Sequence, residues 1–207
     1  VTFQVALVAS DGWVLASDTL ENRGATEGGI RHTLHTKKIT RDPDTDTVYT
    51  CCGDDLSRRV AAEVLRQFRE HRDKPSWNNS TNIEAGLIEI AERVWQEQKL
   101  FLGRNPDPRT YREAIFAFDG MVPFWGLLIA KKSMAGSIFD KHTSGDRANS
   151  AKFIVEHYYD YDDRPPVKQL ILLAAHAVLS AHARNPTGVD GLEIVYRDKE
   201  QIVEWMP

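Results

Sequence analysis

The chain has 207 residues, 42% hydrophobic and 27% charged, with a formal net charge of −4. This balance fits one folded domain with its own core over residues 1–207 and excludes a disordered or fibrous polymer. A mildly acidic surface has no general pull toward nucleic acid or anionic membranes, and no apolar run nears the ~20 residues of a membrane-spanning helix.

In chain order, residues 3–9 and 12–18 read as two strands joined at Ser10-Asp11-Gly12, where Asp-Gly is a strong hairpin signal. Glu21 to Arg31, with Gly24, Gly28 and Gly29, reads as a loop. Strands are predicted at about 33–40 and 47–53, turning through Asp42-Pro-Asp-Thr-Asp46. The period then changes: Leu56, Val60, Val64 and Phe68 predict an amphipathic helix. Thr81-Asn-Ile-Glu84 matches a capping box, with Ile83, Leu87, Ile90 and Val94 continuing at helical spacing. Strands return at about 113–118 and 122–130, with a shorter one near 136–141. Helices follow from Asp146 to about Tyr159 and from Pro166 to about Arg184, and strands near 190–197 and 201–205 end the chain.

Helices arriving in pairs between groups of antiparallel strands predict an α+β fold, a four-layer αββα sandwich of two stacked sheets. Cys51 and Cys52 are adjacent, so they suit neither an ordinary disulfide nor a four-ligand zinc site, and two such thiols fit a reducing cytoplasm. His32 and His35 read as surface residues, and Tyr158-Tyr-Asp-Tyr-Asp-Asp163 as a solvated helix end. No cofactor or metal is expected.

The chemistry concentrates at the start. Thr2 is followed by Phe-Gln-Val5-Ala6 and then by Asp11-Gly-Trp-Val-Leu-Ala-Ser-Asp18. A free α-amine has a reference pKa of roughly 7.7–8.0, low enough to take the proton of its own residue's hydroxyl at neutral pH. This opening, the Lys37-Lys38-Ile39 stretch, Cys51-Cys-Gly53-Asp54 and Ser144-Gly145 resemble the proteasome β-subunit family of N-terminal-nucleophile hydrolases. The start looks most like its bacterial HslV and Anbu-type members.

The resemblance implies Thr2 as nucleophile, Lys38 as the cation beside it and Asp18 as the partner of Lys38. It also implies the Gly53 N–H as oxyanion donor and Ser144 as a support for the amine. Taken singly, each residue has an ordinary structural use; their joint spacing points to catalysis. Glu21 and Asp55 fall near positions lining the family's specificity pocket, which implies tolerance for basic side chains.

The implied function is a threonine-type endopeptidase in a ring or stacked-ring oligomer. Its substrate would be a peptide or unfolded protein, and an ATPase unfoldase is a candidate partner. Two alternatives keep the fold: a non-catalytic structural subunit, and an amidase or peptide ligase using the same acyl-enzyme.

Three features depart from the family pattern. Arg184 stands where an aspartate is common, with Thr187 in place of a serine, and Leu20 replaces an arginine. Val1 precedes the nucleophile, and reading it as a start codon translated literally makes it the residue removed to free Thr2.

Overall fold

The computed structural model describes residues 2–23, 32–71, 79–118, 123–145, 149–186, 188–199 and 201–205. In chain order the elements are β1 (Phe3–Val8), β2 (Trp13–Ser17), β3 (Leu20–Arg23), β4 (His32–His35), β5 (Ile39–Asp42) and β6 (Thr47–Cys52). Helices α1 (Asp55–His71) and α2 (Ser80–Leu102) follow, then β7 (Glu113–Ala117), β8 (Phe124–Leu128), β9 (Met134–Ile138) and β10 (Lys141–Gly145). The chain continues through α3 (Asn149–Tyr158), α4 (Val167–Arg184), β11 (Glu193–Arg197) and β12 (Ile202–Trp205). Two compact units result, Val1–Ile39 with Asp140–Pro207, and Thr40–Phe139.

The first unit is built on a five-stranded sheet of order β10-β1-β2-β11-β12, whose pairings are antiparallel. All six residues of β1 are buried, so both faces of this strand are covered. Strand alternation sends Phe3, Val5 and Leu7 to one face, against Val167, Leu170, Ala174, Ala177, Val178 and Ala181 of α4. Alanines at helical spacing bring α4 close to the sheet. Each large apolar side chain buried here contributes roughly 1.5–3 kcal/mol. β3 and β4 form a separate antiparallel ribbon.

The second unit carries the sheet β5-β6-β7-β8-β9. Leu56, Val60, Val64 and Phe68 of α1 and Ile83, Leu87, Ile90 and Val94 of α2 share a buried cluster with Phe116, Trp125 and Leu127 of the sheet. Both helical periodicities read from the sequence therefore mark the buried faces. Trp13, Trp95 and Trp125 are buried, and Trp205 is 48% exposed.

The structure corrects several expected boundaries. Residues 21–23, assigned to a loop, belong with Leu20 to β3 and pair with β4; residues 24–31 lie outside the described set. The strand expected over 33–40 is two strands, because residues 36–38 leave the ladder between β4 and β5. The single strand near 136–141 is also two, with β9 in the second sheet and β10 in the first. The capping box at Thr81 is not the helix start: Asn79 is the N-cap, and its side chain accepts from the Asn82 N–H at 2.9 Å.

Candidate active site

The β1–β2 hairpin sets the first distance in the site. Its register pairs Val8 with Trp13 and Gln4 with Ser17, so Asp18, one step beyond Ser17, arrives opposite Phe3. The Asp18 N–H donates to the Phe3 carbonyl at 3.1 Å, and the Phe3 N–H donates to Asp18 Oδ1 at 2.7 Å. The sixteen-residue spacing from Thr2 to Asp18 is thus the span of a tight hairpin. Asp18 Oδ2 accepts from Lys38 Nζ at 2.7 Å, and the same Nζ donates to Thr2 Oγ1 at 3.2 Å.

The Lys38 side chain is 7% exposed and that of Asp18 is 0% exposed. Burial pushes the Asp18 carboxyl above its ordinary range, while the Lys38 charge and hydrogen bonds from Lys38 and the Phe3 N–H pull it back. The ammonium is shared between a buried carboxylate and the threonine hydroxyl.

Gly145 closes the other side of the strand. It has φ +114, and a Cβ there would come within 1.8 Å of the Thr2 carbonyl oxygen. Only glycine lets β10 approach so near the start of β1. The neighbouring Ser144 is buried, and its hydroxyl accepts from Gln4 Nε2 at 2.6 Å. Ser144 thus lies on the strand beside β1, and its partner among the described residues is Gln4.

Gly53 belongs to the second unit. Its φ is +118, and a Cβ would come 2.7 Å from Ser57 Oγ and 2.9 Å from the Tyr111 carbonyl oxygen. The adjacent Asp54 is held by a bidentate pair with the buried Arg112, at 2.8 and 2.6 Å. This loop is fixed by its own surroundings.

Two contributors escaped the sequence. Glu193 is 2% exposed, and its Oε2 accepts from the Lys38 N–H at 2.8 Å and the Ile39 N–H at 2.9 Å. It lies 155 residues from Lys38, and only its sheet register could have suggested the contact. The second is the turn before β11. The Asp190 carbonyl accepts from the Thr19 and Leu20 N–H groups, bracing the residues after Asp18.

His35 is exposed, as expected, and is also tied into this turn. Its Nδ1 lies 2.9 Å from Thr19 Oγ1 and its Nε2 lies 3.5 Å from Asp190 Oδ2. The side chain of His32 and all of Thr187 lie outside the described residues. Glu21 accepts from Thr36 Oγ1 at 3.1 Å, and Asp55 faces Arg58 at 3.9 Å in the first turn of α1. Among the described residues no group of three or more His, Cys, Asp or Glu side chains is arranged to hold a metal ion. No described helix is long and apolar enough to cross a membrane.

Searches find no matching family model and no matching curated relative. Solved structures do match. A chain of the helical assembly of the Anbu complex from Pseudomonas aeruginosa superposes with TM-score 0.72 at 18% identity, covering 99% of this chain and 86% of that one. Anbu (ancestral β-subunit) from Yersinia bercovieri gives TM-score 0.63 at 16% identity, over 99% of this chain and 87% of its own. The chain has the Anbu fold. The α+β, antiparallel, proteasome-like class expected from the sequence is borne out.

Proposed function

We propose that this chain is a threonine-type endopeptidase subunit of a self-assembling, proteasome-like complex, with Thr2 as nucleophile once residue 1 is removed. The observation that supports it most is the Lys38 ammonium, almost fully buried between Asp18 Oδ2 and Thr2 Oγ1.

In the proposed reaction the Thr2 amine takes the hydroxyl proton as Oγ1 bonds to the substrate carbonyl carbon. Lys38 stabilises negative charge on oxygen and disfavours a second positive charge on the amine. The Gly53 N–H is the proposed oxyanion donor, a contribution of roughly 2.7–4 kcal/mol where such a donor is lost. Collapse breaks the carbon–nitrogen bond, and the departing amine leaves with the proton. Water then repeats the sequence on the ester, releasing the acid and restoring Thr2.

Assembly is proposed because the similar Pseudomonas aeruginosa chain is described in a helical assembly. Unfolded polypeptide is the proposed substrate, an ATPase unfoldase the candidate partner, and the cytoplasm the proposed compartment for the free thiols of Cys51 and Cys52.

Intact-mass measurement together with labelling by an epoxyketone tests the reading, since this reagent engages the hydroxyl and amine of an N-terminal threonine together. The expected result is a chain beginning at Thr2 with one adduct, absent in Thr2→Ala. A chain trimmed to Thr2 that takes no label would establish the non-catalytic subunit instead. Capture of the acyl group by an added amine would favour the ligase.

A further inference from the structure

We infer that Glu193 is a positioning residue for the Lys38 ammonium, an inference that rests on the threonine-nucleophile reading above. A lysine head group sits on a flexible four-carbon stem, so a salt bridge at its tip does not by itself fix where it points. The stem must also be held at its root. Residues 36–38 leave the strand ladder between β4 and β5, so sheet pairing does not supply that hold.

Glu193 supplies it. Its backbone pairs with Ser17 across β2 and β11, which fixes it relative to the adjacent Asp18. Its side chain turns to the incoming chain, where a single oxygen, Oε2, accepts both the Lys38 and the Ile39 N–H. One residue of β11 therefore sets the separation between the root of Lys38 and the carboxylate that holds its tip. Thr36 adds a second tether, its N–H donating to the Thr19 carbonyl at 2.8 Å.

The arrangement is costly. Burial pushes the Glu193 carboxyl above its ordinary range, and the two N–H groups offset that only in part. An apolar residue would fill the same space in the sheet more cheaply, but it could not bind the successive amides of Lys38, which lies off the strand ladder, and Ile39, which opens β5.

Three substitutions separate reach from charge. Glu193→Asp keeps the charge and shortens the reach by one methylene. Glu193→Gln keeps the reach, with an amide oxygen able to accept both N–H groups, and loses the charge. Glu193→Ala loses both. The readouts are the maximal rate and the half-saturating concentration of epoxyketone labelling at Thr2. The expected result is a fall of ~10²-fold in maximal rate for Asp and Ala, the scale of a 1 Å misplacement, with half-saturation unchanged. Glu193→Gln is expected to recover most of that loss.

Aspartate labelling as fast as the wild type, or glutamine as slow as alanine, overturns the inference. If Glu193→Ala does not fold, the Asp and Gln variants decide the order. A trimmed wild type that takes no label overturns the threonine reading, and this inference falls with it. A labelled wild type with the order reversed removes Glu193 alone.

Discussion

In one unit Asp18 meets Lys38 with both side chains almost wholly buried; in the other, Glu63 of α1 meets Arg66 at 2.7 Å and also Arg93 of α2, beside solvent. The chemistry is alike, a carboxylate facing cations, yet the two acids shift in opposite directions. Hydrogen bonds from Arg66, then from Arg93 and Gln67, draw the Glu63 carboxyl down to about 2 against a smaller effect of burial. At Asp18 burial outweighs the Lys38 charge and the hydrogen bonds from Lys38 and the Phe3 N–H, and the carboxyl rises. The exposed cluster links two helices, and its arginines are spent on carboxylates. The buried pair leaves its ammonium within reach of a hydroxyl. Burial, with a hydroxyl beside the ammonium, marks the proposed reactive site, where the count of ion pairs would have pointed to the helices.

The comparison breaks most sharply at Lys38. Lys38→Met leaves Asp18 buried without its cation, and such a loss costs ~3–5 kcal/mol. Denaturant titration is expected to show that loss, with labelling of Thr2 abolished. A small shift in midpoint would mean that the two regions differ less than their burial implies.

Next in size is the pH response. Asp18 has a folded pKa above its unfolded value of ~3.9, so its contribution is complete below that value and is lost as pH rises through the folded pKa. Glu63 behaves in the opposite way. Its contribution is present above the unfolded value of ~4.3 and is lost as pH falls toward about 2. Midpoints measured against pH for Asp18→Asn and Glu63→Gln should therefore diverge from the wild type with opposite slopes. The labelling rate should fall on the acid side with a midpoint above that of an ordinary aspartate, because protonated Asp18 no longer holds Lys38. Parallel slopes would remove the contrast.

The smallest effect is expected from Glu63→Gln near neutral pH. The denaturation midpoint should move far less than in Lys38→Met, and labelling should be unchanged, since surface pairs contribute little.

Thr2, Asp18 and Lys38 were legible because the hairpin that joins the first two is local and the third follows within one short run of strands. Ser144 was legible as a residue but not as a contact. Its strand β10 reads Lys-His-Thr-Ser-Gly, with no apolar alternation to announce it, and its hydroxyl meets a Gln4 that sequence spacing gave no reason to consider. Glu193 was invisible because its contacts depend on sheet register across the length of the chain. The start of α2 was misread for a simpler reason: Thr81 and Glu84 fit a capping box, but Asn79 offered its side chain two residues earlier. Helical periodicities, set by burial along a single face, were the most legible features of the fold.

The two oxygens of Asp18 are divided, one accepting from the Phe3 amide and the other from Lys38. A single backbone proton therefore monitors the whole constellation without any substrate. Its exchange with deuterated solvent should stay slow only while the carboxylate is seated, so a spectrum of the resting protein can report whether the centre is assembled.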